Sequence, residues 1–427
     1  MASEIPAGVA AGQDPEPQFL EARRAQAREL LESLELPEFK GRPGWEFTDL
    51  SELDLSAYRT ATGRNGAVPS APPLFSPERA IELLQVDAGA RGLAEPLPDG
   101  VIVSTLEQAS GEHPHLVERH LGALVDSKTD LFVARNEARL NGGAFVYVPR
   151  GVVVEQPILV STIQAQPGTE LNRRTVIVLE EGAQAEVWEQ HLSSTPELES
   201  LLNTVIELVV GDGSRLRFVC GQQLSERSWL FGSHRAAVGR DGMLDWVALG
   251  FGSRGGRVRM ETRLTGPGAE ARVTGAYASR GRQHIDFDTT QEHAAPNTTS
   301  DLAFRGVLGG RSTAVWKGNI IVDPGAQKTD AFQESRNLLL SKRAHADAIP
   351  GLEIQANDVR CTHAAAVAQV DAEQLFYLRA HGLREPVAKR LVIEGFLAAL
   401  VERFEQGPVR TVLAGALERR LSQILGE

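Results

Sequence analysis

The chain has almost no cysteine: two residues in 427, Cys220 and Cys361. Two thiols cannot build a disulfide framework, so a reducing, intracellular compartment is the simplest expectation. No apolar run approaches the roughly 20 residues needed to cross a bilayer. The opening stretch, MASEIPAGVAAGQDPEPQ, is acidic. It has neither the apolar core of a signal peptide nor the Arg- and Ser-rich character of a transit peptide, and a cytoplasmic location is expected. Positive charge is in deficit, with Lys+Arg 44 against Asp+Glu 56 and a net charge of −12. That argues against sequence-independent nucleic-acid binding, which needs a basic footprint. Also missing are the GxxxxGK[ST] phosphate loop, a CxxC pair, HExxH and a nucleophile elbow, so no ATP binding of that kind and no familiar hydrolytic centre is expected.

What is present is ordinary for a folded protein: 42% hydrophobic and 23% charged residues, on a chain long enough for two or three structural units. Residues 1–18 are rich in Ala, Gly and Pro and read as a flexible start. Residues 19–130 read as a helical and mixed region, with a first helix from Phe19 to Ser33. In LPEFKGRPGWEFTDLSELDL, Trp45, Phe47 and Leu50 sit among turn residues, a helix-to-loop transition anchored by an aromatic. The spacing of EHPHLVERHLGALVD predicts a helix from Glu112 to Asp126. Its His113, His115 and His120 lack the i,i+4 metalloprotease pattern and read as a solvated helix face.

From about Val146 to Ile354 the pattern is strand, tight turn, strand. Turn glycines Gly182, Gly213, Gly242 and Gly268 recur at separations of 31, 29 and 26 residues, and Gly325 lies 57 further on. Repeats of this length indicate a stacked array. The β-branched alternation favours a β-helix whose coils bury their inner faces against one another, with a sandwich of hairpins as the alternative. The glycine clusters Gly252–Gly256 and Gly309-Gly310 read as turns of that array. Residues 131–370 are assigned to it and residues 371–427 to a helical domain. In EPVAKRLVIEGFLAALVERF an apolar stripe runs through Ala388, Leu391, Val392, Gly395, Phe396, Ala399 and Leu400. The last helix repeats the pattern with Val412, Leu413, Leu417, Leu421 and Ile424. Both are expected to cap the open end of the stack.

The most informative stretch is PGLEIQANDVRCTHAAAVAQVDAEQLFYLRAHGL, from Pro350 to Leu383. Leu352, Ile354 and Ala356 alternate with polar residues, a half-buried strand; Asn357-Asp358 can turn; Asp371 is a good N-cap and Gly382 a good stop. If Val359–His363 is extended, Cys361 and His363 project from one face, roughly 6–7 Å apart. Thiolate and imidazole are both iron ligands, yet a cluster ordinarily takes about four protein ligands. The bland alternative is a small buried hydrophobe beside a structural histidine. Cys220, in VCGQQ, has no ligand-like neighbour and reads as core.

Four pieces, FQESRNLLLSKRAHA (Phe332–Ala346), PGLEIQANDVRCTHAAAV (Pro350–Val367), EQLFYLRAHGL (Glu373–Leu383) and LVIEGF (Leu391–Phe396), resemble the carboxy-terminal signature of the SufB/SufD family. These are scaffold subunits of the SUF iron–sulfur cluster assembly system. Ala364, where a SufB-type pattern has glutamate, makes the Cys-x-His more similar to the SufD branch; Ala364 and His381 depart from the usual glycine and arginine. Trp45 and Thr48 match the amino-terminal signature of that branch. The resemblance implies a mainly β fold: a right-handed parallel β-helix (β-solenoid) core flanked by amino- and carboxy-terminal α-helical regions. It further implies a non-catalytic subunit that pairs with a SufB-like scaffold and a SufC-like ATPase, the latter docking on the carboxy-terminal helices. Cys361 and His363 would form half of a site for a transient Fe–S cluster, as iron ligands, with ATP bound elsewhere. Without partners, self-association is expected. The alternatives are a SufB-type main cluster and sulfur acceptor, for which more core cysteines are expected, or a carbohydrate-active β-helix enzyme, for which no groove motif is present.

Overall fold

The computed structural model describes residues 16–40, 44–63, 67–91 and 97–426, so most of the expected flexible start lies outside the described residues. The amino-terminal part supplies α1 (Gln18–Glu32), β1 (Arg59–Thr60), β2 (Ile81–Val86), β3 (Gly89–Arg91) and β4 (Ile102–Thr105). Three short helices follow: α2 (Leu106–Glu112), α3 (Pro114–His120) and α4 (Leu131–Ala138). The single helix expected over Glu112–Asp126 is therefore shorter, with Pro114 opening α3 and no helix past His120. His120 is buried, not solvated, because its side of α3 turns toward the neighbouring sheet.

Strands then succeed one another: β5 (Gly143–Val148), β6 (Ile158–Gln164), β7 (Thr169–Leu179), β8 (Gln184–Ser193) and β9 (Ser200–Val210). Next come β10 (Arg215–Gln223), β11 (Trp229–Val238), β12 (Met243–Gly250), β13 (Gly255–Leu264) and β14 (Glu270–Ser279). The series ends with β15 (His284–His293), β16 (Thr299–Leu308), β17 (Thr313–Val322), β18 (Asp330–Leu339), β19 (His345–Ile354) and β20 (Arg360–Gln369). Three helices close the chain: α5 (Ala372–Ala380), α6 (Glu385–Val401) and α7 (Pro408–Leu425).

From β5 onward odd strands form one sheet and even strands the other, each pairing in parallel with the strand two places away. A hairpin sandwich would pair consecutive strands antiparallel, so the architecture is a β-solenoid, of about 8 turns. Strands β2 and β4, from the amino-terminal part, extend the even and odd sheets.

The corner before each even strand sets the repeat. Left-handed backbone falls at Gly182, Gly213, Asp241, Gly268, Asn297 and Lys328. The same intervals of 31, 28, 27, 29 and 31 residues separate the paired strand starts Gln184, Arg215, Met243, Glu270, Thr299 and Asp330. Two expected glycines are therefore off the column. Asp241 holds the left-handed position beside Gly242, and Lys328 holds it three residues after Gly325. Asn, Asp and an exposed Lys tolerate that conformation well enough once the stack fixes the turn. Gly309-Gly310 lies at a corner as expected, whereas Gly255 and Gly256 begin β13.

Alternate residues point into the bore, where Phe218, Trp246, Tyr277, Phe287, Phe304 and Trp316 stack along the axis. Burying each such ring stabilises the fold by about 2–3 kcal/mol. Gly275 makes room for one of them, since a Cβ there would lie 2.2 Å from the Phe304 ring.

The carboxy-terminal helices do not cap the stack. Helices α6 and α7 lie flat on the outer face of the even sheet, where Ile393, Leu397, Leu400, Leu413 and Leu417 pack on residues such as Val219, Val247, Ala276 and Val307. The buried stripe of α6 is Ala388, Ile393, Leu397 and Leu400, rotated from the expected one, and Leu391 is 45% exposed. Apolar residues occur on more than one side of α6, so periodicity alone could not choose the side that meets the sheet. The outer face of the odd sheet is covered by α1–α4 and by the segment from Trp45 to Tyr58.

Candidate functional site

With the helices lying alongside, the last coil is left open. Strands β19 and β20 are the terminal strands of their sheets. Leu352, Ile354 and Val367 would be core residues in any earlier coil; here they are 36, 43 and 43% exposed because no further coil follows among the described residues. The half-buried strand expected around Leu352–Ala356 is thus a rim.

Cys361 and His363 occupy β20. They pair with Ala331 and Gln333 of β18, whose side chains are buried in the bore. Strand alternation places both on the bore-facing side at its open mouth, two residues apart and so roughly 6–7 Å along the strand. Cys361 is half-buried against a cluster of Ile320, Val322, Ala326 and Ala331, and His363 is exposed. Burial first, and the Asp330 carboxylate second, push the Cys361 thiol up. Behind His363, Gln333 donates to the carbonyls of Gly351 and Gly318 at 3.1 and 3.3 Å and keeps a buried Oε1 without a partner. Among the described residues no group of three or more His, Cys, Asp or Glu side chains is arranged to hold a metal ion. The pair alone cannot close a cluster site.

Cys220 does not join it. It lies on β10, five coils from β20 and so about 24 Å away along the stack. It is buried, accepts from the Trp246 indole at 3.5 Å, and burial pushes its thiol up to about 12.

Trp45 and Thr48 fasten the amino-terminal segment to the odd sheet. Trp45 packs on Phe132 and Phe231 and under the Arg257 guanidinium. The Thr48 hydroxyl donates to the Asp286 carboxylate beside His284. The bland expectation for this segment understated these polar contacts.

Pattern reading also missed the polar stretch of bore formed by Arg173, Thr175, Glu189, His191 and His234. The signal was available: in LNRRTVIVL and AEVWEQH, residues 173, 175, 189 and 191 fall on the inward parity set by Leu171, Ile177 and Val187. Burial holds His191 and His234 down to about 3 and His284 and His293 down to about 4, while raising Glu189 to about 7 and Asp286 to about 6. Below pH 6.5 the unfolded chain takes up four imidazole protons that the folded chain refuses. The two carboxyls work the other way, binding protons more readily when folded. Four outweigh two between pH 6.5 and 4, so stability should fall with acidification through that window. Thermal melts at pH 7 and pH 5 are expected to differ by several degrees, lower at pH 5; equal midpoints would contradict the neutral buried imidazoles.

Comparison with known proteins bears on the same elements. Residues 162–396 match the family profile "SUF system FeS cluster assembly, SufBD core domain", and residues 87–160 match "SufBD protein N-terminal region". The chain is 30% identical over 417 residues, 95% of each chain, to the iron–sulfur cluster assembly protein SufD of Bacillus subtilis. It is 28% identical to a SufBD family protein of Mycobacterium leprae, covering 87% of this chain and 93% of that one. A Synechocystis SufBD family protein is 24% identical over 91% and 88% of the two chains.

Proposed function

This chain belongs to the SufBD family of SUF-system iron–sulfur cluster assembly proteins, and on that premise we propose that it is the SufD-type, non-catalytic subunit of a cluster-building scaffold. The observation that carries the reading is the open last coil. It presents Cys361 and His363 on the bore-facing side of an unpaired edge strand, with Leu352, Ile354 and Val367 exposed around them. Exposed edges with apolar rims invite pairing with another chain. A SufB-like scaffold adding its own terminal strands there would cover the rim and supply the missing ligands. The cluster is the cargo of this site, held in transit, and ATP is hydrolysed on another subunit. A SufB-type role for this chain fits less well, because Cys220 is a buried, poorly acidic thiol unsuited to accept sulfur. No helix among the described residues is long and apolar enough to cross a membrane.

A SufC-like ATPase would dock on the carboxy-terminal helices. None of α5 is buried, and Phe376 and Tyr377 are 73 and 63% exposed. Large exposed aromatics of this kind are the usual anchors of an interface. The test is co-expression with a SufB-like and a SufC-like chain under anaerobic conditions. Both should co-purify with the wild type, and Phe376→Ala with Tyr377→Ala should lose the ATPase while keeping the scaffold partner. Retention of the ATPase by that variant would rule out α5 as the dock, and failure of the scaffold partner to bind would overturn the assignment.

A further inference from the structure

The corners leading into the odd strands carry a column of arginines. Trp229, Gly255, His284, Thr313 and His345 start β11, β13, β15, β17 and β19 and stand in register. Two residues before them, in the same order, come Arg227, Ser253, Arg282, Arg311 and Arg343. Four of five successive coils thus place arginine at one corner position, and Lys342 adds a cation in the last. All five cations are exposed, and none makes a side-chain hydrogen bond or ion pair among the described residues. Their neighbours differ: Arg254 is taken by Glu52 and covers Trp229, and Arg280 is taken by Glu226.

Coils are about 4.8 Å apart, so Arg282, Arg311 and Arg343 repeat in steps of that size, with Arg227 two steps below. Like charges stacked in register repel, and no ion pair among the described residues offsets that repulsion. The chain as a whole is at −12, and the opposite corners carry mainly acids, such as Glu180, Glu181, Asp212, Asp241 and Asp323. Cation has been gathered on one edge of an acidic molecule.

We propose that this arginine edge is a docking surface for a protein partner presenting an acidic α-helix. Carboxylates one turn apart on a helix recur at about 5.4 Å, close to the coil spacing, so a helix laid along the edge meets arginine after arginine. The planar guanidinium forks then receive carboxylates two-point fashion. Nucleic acid fits less well: the edge exposes no aromatic side chain for base stacking, its Trp229 being buried beneath Arg254. This surface lies away from Cys361, which follows the opposite, odd-to-even corner, and it stands independently of the subunit assignment.

The test uses the full-length protein and a labelled, helix-stabilised peptide of about 20 residues with glutamates at i, i+4 spacing, read by fluorescence anisotropy. Binding should weaken at least tenfold on Arg227→Glu, Arg282→Glu, Arg311→Glu and Arg343→Glu together, and should fall with rising salt. The neutral Gln versions should give an intermediate loss, guarding against misfolding of the reversed variant. Reversal of Arg150, Arg240 and Lys328 on the opposite corners should change little. The proposal is overturned if the peptide fails to bind, if the arginine variants bind as the wild type does, or if a peptide of equal charge with scrambled spacing binds equally well. Tighter binding of a duplex oligonucleotide or of phosphatidylserine vesicles than of the peptide would overturn it equally.

Discussion

In the co-expressed complex, His363→Ala is expected to lower bound iron and sulfide by on the order of tenfold, and Cys361→Ala by less. The difference follows from how β20 presents the two side chains. His363 is exposed at the mouth, free to meet a cluster brought by a partner, while Cys361 is half-buried against Ile320, Val322 and Ala331. Thiolate ligation requires deprotonation, which the apolar contact and the Asp330 carboxylate both oppose. Neither change removes a large apolar anchor, so the yield of the complex should be unchanged and serves as the folding control. The isolated chain should hold no stable cluster, because two ligands do not close a site. Full iron and sulfide in a complex lacking both side chains would make the pair structural and end the half-site reading.

The largest expected loss of stability comes from Arg174→Ala. Arg174 of β7 has no exposed side-chain surface and joins Glu207 at 3.0 Å and Glu137 of α4 at 3.4 Å. Glu207 also accepts from the backbone N–H groups of Gly122, Leu124 and Val125, so one carboxylate ties the loop after α3 to the odd sheet. Glu137 keeps its second partner, Arg23, at 2.5 Å, but removing the guanidinium leaves the buried Glu207 carboxylate without a cation, which costs about 3–5 kcal/mol. Much of that should return when Glu207→Gln is added, since the orphaned charge is then removed. Denaturant midpoints measure the total, and hydrogen exchange should locate the opening in α1–α4. A loss below about 1 kcal/mol would show that water reaches these groups.

The β-solenoid and its repeat were legible because every coil buries one inward face, and a repeated burial requirement leaves a repeated pattern. Gly182, Gly213 and Gly268 marked three corners directly; Asp241, Asn297 and Lys328 were hidden because the stack enforces the left-handed turn without needing glycine. Cys361 and His363 stood out by residue type, and their same-face placement follows from strand alternation alone. The amphipathic length of α6 and α7 was also readable, but not the surface they cover. Arg174, Glu207 and Glu137 gave no local sign of burial, since each looks like an ordinary surface charge until its partner arrives from 33 or 37 residues away.

By itself, then, the sequence determined the strand periodicity, the helical ends and the two candidate ligands, all of which depend on neighbours within a few residues. Only the tertiary structure decided that α6 and α7 lie along the even sheet, that the last coil is left open, and that four arginines align on one edge. Those outcomes depend on which apolar face found a complementary surface and on how coils 26–32 residues long fall into register. Such contacts between distant residues leave no period for a local pattern to carry.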